Sequence, residues 1–560
     1  MFSFKKLLKK GPDHPMGNIQ DAKKLLLDLP LGSSLKALEE VSFWLDSVRN
    51  TDGYNPVEQF EILKLLDETA QPLQLELSQQ YLDLSRMQKT QENRLWMALF
   101  EFWKHLAAAY EHCISLYEGN GEDALLIEKH LPLMVIRTMR AYAEQNKLLY
   151  IRYRPIDEKI WAGLSKLYFF AESNALFHGL LVPYQHESGP TTAFKELLRA
   201  VMLSVSTPDK LLPVQIHLAD KVIMNLINSF SMSGQPEVNS MFYMDISAHT
   251  APARLIKGTP IHAVMLFFSS NEAAQNMKIF VDQIDAGVIP QSLDFASEFK
   301  KDDLQEVFHI LEQCWSPTPP QRKTARSKVV TRLNVVHGFK EIRRKIAIST
   351  QGTTKRIDDD KDVLYQERVD LKLYGFVTDK TKQMRIAATA LENATVKEEG
   401  NTESWVTVNI SECGFGAVIP SIGEDWVKIG LLIALKPEDG KEWVVGTVRR
   451  LSRDSDHKIH VGIQVLGHNP ASIRMQPSIN NVSVWEKVTD VVVSTHIDAI
   501  FMGANNKCVD ESTLLMEPQS FVGENCFEMI NQEETCRIAL NKLLEEGQDY
   551  QRISYREIAS

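Results

Sequence analysis

No C-x-x-C pair occurs in this 560-residue chain, and its six cysteines, Cys113, Cys314, Cys413, Cys508, Cys526 and Cys536, lie scattered. That spacing excludes a zinc knuckle and a thioredoxin-type redox pair. Sparse, unpaired cysteine fits a reducing compartment, with most of the thiols serving as small buried hydrophobes. Long apolar runs are also missing: none reaches the roughly 18 residues that a spanning helix needs. The start of the chain, MFSFKKLLKK, is basic but has neither the apolar stretch nor the small-residue cleavage site of a signal peptide. A cytoplasmic protein with a flexible N-terminus over residues 1–15 and no transmembrane segment is therefore expected. Enzyme signatures are absent too. There is no G-x-x-x-x-G-K-[ST] phosphate loop, no H-E-x-x-H zinc helix and no G-x-S-x-G nucleophile elbow. Gly414-Phe415-Gly416 lacks the third glycine of a dinucleotide fingerprint. The 15 histidines show no metal-ligand spacing, and His112, beside Cys113, reads as core or surface. The expectation is a protein with no catalytic residues, no metal and no cofactor, and not an enzyme.

What is present is an ordinary globular composition, 44% hydrophobic and 24% charged, over a length that suggests roughly three or four domains. The net charge of −11 argues against a general DNA-binding protein. One segment runs the other way. Residues 321–356 carry eleven Lys or Arg and a single acid, Glu341, a local charge of +10 that leaves −21 for the remainder. A basic island in an acidic chain points to one local anionic partner.

Residues 16–230 read as successive helices. Leu95, Leu99, Trp103, Leu106, Tyr110 and Tyr117 fall near one face at helical period, and Pro132 suits the first turn of another helix. Trp161-x-x-Leu164-Ser165-x-x-Tyr168 resembles the first helix of a tetratricopeptide repeat, although no self-similarity at that repeat's period accompanies it. A turn-rich break at Ser231–Glu237 opens residues 238–314, either a small mixed α/β module or an extension of the helical domain. Within it, strands are expected over Met241–Ser247 and His262–Phe268 and helices over Asn271–Ala286 and Asp302–Gln313. The prolines of Trp315–Pro320 then stop helical structure. Beyond them the pattern is mostly β, with Val329–Ile348 rich in branched residues. Short strands follow at Trp405–Ile410, Leu431–Leu435, Trp443–Leu451 and Ile459–Leu466, a spacing that suits a closed barrel over 329–470. An insertion spans about 350–403. Residues 471–560 hold further strands and one expected helix around Ile538–Glu546; they either complete the barrel or form a second lobe. The expected fold class is thus multidomain α + β: an N-terminal all-α bundle and a C-terminal antiparallel β-barrel.

Two stretches carry the chemistry. Arg322 and Arg326 stand four apart on an arm, 315–328, that begins at the proline break, and Asn409, Ser411 and Gly414 follow on a strand running into a turn. A planar guanidinium can fork onto phosphate or onto a guanine edge, and it stacks on purines. Trp405, Thr407 and Asn409 should share one strand face, with Asn409 and Ser411 pointing together at one site. Gly414 and Gly416 should let the backbone turn. Lys328, Arg332, Arg343 and Arg344 are competing cations in the same island.

Together, R-x-x-x-R and N-x-S-x-x-G resemble the two halves of the PilZ signature, with Val445–Arg449 and Val461–Val465 similar to that family's later glycine-bearing strands. PilZ domains are small β-barrels that bind the second messenger cyclic di-GMP. The resemblance implies a ligand site built from Arg322, Arg326, Asn409, Ser411 and Gly414. It implies a non-enzymatic bacterial receptor, acting in motility, pili, exopolysaccharide or biofilm control, whose helical domain relays binding to a protein partner. Signatures of enzymes that make or degrade cyclic di-GMP are absent. The alternative is a PilZ-like scaffold that binds proteins and no nucleotide.

Overall fold

The computed structural model describes residues 11–83, 88–118, 124–187, 189–318, 324–351, 402–419, 426–438, 440, 442–477, 497–504, 509, 511–521, 526–531 and 534–558. The chain divides into two compact units, 1–320 and 321–560. Among the described residues no helix is long and apolar enough to cross a membrane.

Among the described residues, the first unit begins with nine helices: α1 (Ile19–Leu27), α2 (Ser34–Arg49), α3 (Pro56–Leu82), α4 (Lys89–Glu118), α5 (Ala124–Ile127), α6 (Leu131–Ile151), α7 (Glu158–Ser173), α8 (Ala193–Val205) and α9 (Pro213–Asn225). Their starts follow local chemistry. Asn18 and Asn55 accept hydrogen bonds from the first free N–H groups of α1 and α3, and Pro132 occupies the first turn of α6. Helix α6 is buried on nearly every side. Its cations are therefore paired: Arg137 with Asp67 at 2.8 Å, Arg140 with Glu196 at 2.7 Å and Lys147 with Asp220 at 3.0 Å. Helix α7 crosses α6 closely at Gly163, where a Cβ would lie 2.4 Å from the Tyr142 ring.

A four-stranded antiparallel sheet follows, in the order β1 (Ser231–Ser233), β4 (Met265–Ser269), β2 (Phe242–Asp245), β3 (Ala253–Arg254), with α10 (Asn271–Asp285) and α11 (Lys301–Trp315) after it. Its Phe242, Phe268, Phe308 and Trp315 belong to the same apolar core as the helices before them. The Trp315 indole donates to Ser206 in the loop after α8 at 3.0 Å.

Among its described residues the second unit holds two closed antiparallel barrels. The first runs β5 (Arg332–His337), β6 (Glu403–Ser411), β7 (Gly414–Ile419), β8 (Leu432–Pro437), β9 (Val444–Arg453) and β10 (Ile459–Val465). The second runs β11 (His468–Pro477), β12 (Ile497–Gly503), β13 (Thr513–Met516), β14 (Cys526–Asn531), β15 (Glu534–Glu546) and β16 (Gln551–Ile558). Numbered from one to six in chain order, the strands of both barrels close in the same ring, 1-2-3-6-5-4. The last region is therefore a second lobe of the same topology.

Two expectations are corrected. The branched stretch 329–348 is only partly strand, because α12 (Phe339–Gln351) starts after Gly338, at φ +84°. Its Phe339, Ile342 and Ile346 recur at helical spacing and fill an apolar core that also holds Ile500, Met502 and Leu515 of the second barrel. The segment 538–546 is strand, not helix. Its Leu, Lys and Glu residues favour helix, but pairing with β14 and β16 along β15 overrides that weak preference.

Candidate functional site on the first barrel

The segment 324–331 runs alongside β6 as an extension of β5. Ser327 and Ile410 exchange both backbone hydrogen bonds at 2.9 Å, and the Thr407 amide donates to Thr331 at 2.9 Å. An open cleft of ≈ 700 Å³ lies between this arm and the end of β6, lined by Thr324, Ala325, Ser327, Val329, Ile410, Ser411 and Glu412. Arg326 is exposed on the arm, and register places it opposite Ser411, one step beyond the Ser327–Ile410 bridge. Arg322 lies outside the described residues.

A bulge at Val408 decides where the strand residues point. Thr407 pairs with Ala417, but Asn409 pairs with Gly416, so one extra residue stands in β6. Paired residues share a face. Thr407 therefore lies with Ala417 in the barrel interior, where Trp405 and Thr407 are fully buried, whereas Asn409 and Ser411 lie outside with Gly416 and Gly414. The expectation that Trp405, Thr407 and Asn409 share a face is corrected by this inserted residue, which inverts the phase.

The glycines act by close approach and not by turning. Neither has a positive φ. A Cβ on Gly414 would meet the Ile463 carbonyl at 2.4 Å, and one on Gly416 would meet the Asn409 amide at 2.6 Å. Asn409 thus lies flat over Gly416. Its Oδ1 is buried and has no hydrogen-bond partner in the protein. The Ser411 hydroxyl donates to the Gly414 carbonyl at 3.2 Å, which leaves its oxygen able to accept.

Two competing cations are engaged elsewhere: Arg343 pairs with Asp498 on β12, and Arg344 with Glu341 on its own helix. Lys328 is exposed on the arm itself, and Arg332 is exposed at the start of β5. Cys413, in the turn between β6 and β7, is disulfide-bonded, so the reading of every cysteine as unpaired is corrected there. Pair and glycine spacing could not show that Arg450 of β9 stands on the same outer face as Asn409. That follows only from the strand order.

Residues 20–237 match the family model described as the cyclic-di-GMP receptor FimW, N-terminal domain. The match covers under half of the chain, taking in α1 to α9 and ending before either barrel. No curated protein matches the chain.

Proposed function

We propose that the protein is a cyclic di-GMP receptor whose first barrel is a PilZ-type ligand site. The observation that carries this reading is the bulge at Val408. It turns Asn409 and Ser411 outward beside an arm hydrogen-bonded to the same strand, and that arm carries Arg326. Arg322 and Arg326 are assigned to the phosphates, Asn409 and Ser411 to polar edges of the ligand, and Gly414 to the close approach of β10. The match of the helical part to the N-terminal domain of a cyclic-di-GMP receptor supports the same ligand from an independent stretch of chain. Arm and helical unit are joined in sequence through 315–328. A ligand that binds one arrangement of the arm more tightly than another shifts the population toward it, and the helical unit passes the change to a protein partner.

Calorimetric titration tests the reading. Wild-type protein should bind cyclic di-GMP and not GTP, and the Arg322→Ala/Arg326→Ala double variant should lose at least about a hundredfold in affinity, roughly 3 kcal/mol for two charge-assisted contacts. Ligand at a hundred times Kd should stabilise the wild type by about 2.7 kcal/mol. Equal binding by the double variant would remove the arm from the site. Absence of binding by folded wild type would favour a scaffold.

A further inference from the structure

The outer face that carries Asn409 continues across the barrel. Asn409 pairs with Gly416, Gly416 with Gly462, and Gly462 with Arg450, one residue each on β6, β7, β10 and β9. These four form one row on one face. Its two middle members are glycines, and each is overlain by the side chain at its end of the row. A Cβ on Gly416 would lie 2.6 Å from Asn409 Nδ2. One on Gly462 would lie 2.9 Å from Arg450 Cβ, with Arg450 Cγ and Cδ both at 3.5 Å. The Arg450 stem therefore crosses Gly462, while the Asn409 amide reaches over Gly416 from the other end. Arg450 is exposed, and the next residue pair toward the cleft, Gly414 with Gln464, is polar or side-chain-free as well.

We infer that Arg450 is a specificity-determining residue that reads the O6/N7 edge of a guanine, opposite the Asn409 amide. The inference rests on the ligand-site reading above. The arm flanks β6 on its β5 side, whereas Arg450 lies three strand spacings away on the other, roughly 14 Å across the sheet. A ligand gripped by its phosphates at the arm and lying across this face presents a base at Arg450. Guanine offers two acceptors there, O6 and N7, which match the two parallel donors of a guanidinium. Adenine offers N7 beside an N6 donor, so one arm of the fork would meet another donor. An amide supplies both a donor and an acceptor for the remaining edge, and Asn409 Oδ1 is an acceptor without a partner. The two glycines leave the space in which both side chains can lie flat.

The test measures affinity for cyclic di-GMP and cyclic di-AMP in the full chain for wild type, Arg450→Ala, Arg450→Lys and Gly462→Ala. Melting of the free proteins serves as the folding control. Arg450→Ala should lose roughly ten- to a hundredfold for cyclic di-GMP, with cyclic di-AMP little changed, so that the preference narrows by the same factor. Arg450→Lys should lose as much, because it keeps the charge and not the fork. Gly462→Ala should reproduce part of the loss with Arg450 intact, by pushing its stem aside. Retained cyclic di-GMP affinity in Arg450→Lys, or equal loss for both ligands in Arg450→Ala, would overturn the guanine-edge role. Unchanged affinity and preference in Arg450→Ala would overturn the inference and leave the arm site standing. No binding by wild type would overturn the site reading itself, and this inference with it.

Discussion

The two barrels share one strand order and differ in what their second and third strands carry outside. In the first barrel those strands present Asn409, Ser411, Gly414 and Gly416, next to an open cleft. In the second, β12 and β13 present Ile500, Met502 and Leu515, all fully buried against Val336, Leu432, Ala434 and Val445 of the first. One topology thus supports a polar, glycine-lined face in one copy and a hydrophobic joint in the other. The strand order decides which residues share a face; the residue types decide whether that face stays polar or is buried against a neighbour.

The largest expected effect breaks that contrast by the same chemical step on each face. Ile500→Ala removes a fully buried side chain from the joint and should cost about 2–5 kcal/mol in urea unfolding of the second unit. Ser411→Ala removes one hydroxyl bond to Gly414 and should cost about 1 kcal/mol. Ligand affinity should respond the other way round, with Kd unchanged in folded Ile500→Ala protein and raised in Ser411→Ala. Equal stability costs would mean that the second barrel's apolar face is not a core.

A smaller effect sharpens the ligand side. Asn409 holds a buried acceptor with no partner in the protein, a state that ordinarily costs free energy. Asn409→Ala should therefore leave the melting temperature of the free protein unchanged or higher while weakening cyclic di-GMP binding by about tenfold, or ~1.4 kcal/mol. A stability–function trade of this kind marks a residue kept for binding. A variant that melts earlier and binds as well as wild type would assign Asn409 to the fold.

Much of this was legible in the sequence, and the failures have identifiable causes. Period and Pro132 showed the helices, because a proline in a first turn acts within a turn of itself, whereas the caps Asn18 and Asn55 went unread. Four strands of the first barrel, β6, β8, β9 and β10, were visible through alternation and glycine, while β7 was hidden behind the reading of Gly414 and Gly416 as a turn. The face of Asn409 was not, since the bulge at Val408 depends on how β7 pairs and leaves no local mark. Arg450 was invisible for a related reason: it joins Asn409 only through two intervening strands. The strand β15 was misread because its Leu, Lys and Glu residues favour helix while its partners, Cys526–Asn531 and Gln551–Ile558, enforce sheet. Glycine spacing suggested turns, yet Gly414 and Gly416 serve approach distances that only the neighbouring strand defines.

The hairpins between the fifth and sixth strands carry the smallest expected effect, and they extend the contrast to pH. In the second barrel that hairpin docks on the first: Asp549 accepts from the Leu432 amide at 2.9 Å, and the Gln548 amide donates to the Gly430 carbonyl at 3.1 Å. Burial pushes the Asp549 carboxyl above its ordinary value, and the Leu432 amide only partly opposes this. In the first barrel the same hairpin stands in solvent, and the hydrogen bond from His460 at 2.9 Å, together with backbone donors, holds the Asp454 carboxyl below its ordinary value. The signs are opposite. A raised carboxyl binds its proton more firmly in the folded state, so its contribution is full below the ordinary value of about 4 and is lost as pH rises through the folded value. A depressed carboxyl contributes above about 4 and loses that contribution as pH falls through its folded value. Asp549→Asn should therefore remove a gain in the urea midpoint that appears as pH falls from 7 toward the ordinary carboxyl value of about 4, and should not lower the midpoint at pH 7, because the amide oxygen can still accept from Leu432. Asp454→Asn should leave the pH 7 to pH 5 span unchanged and remove part of the loss below pH 4. If both variants changed the same part of the curve, the two hairpins would not differ in burial as the joint between the barrels requires.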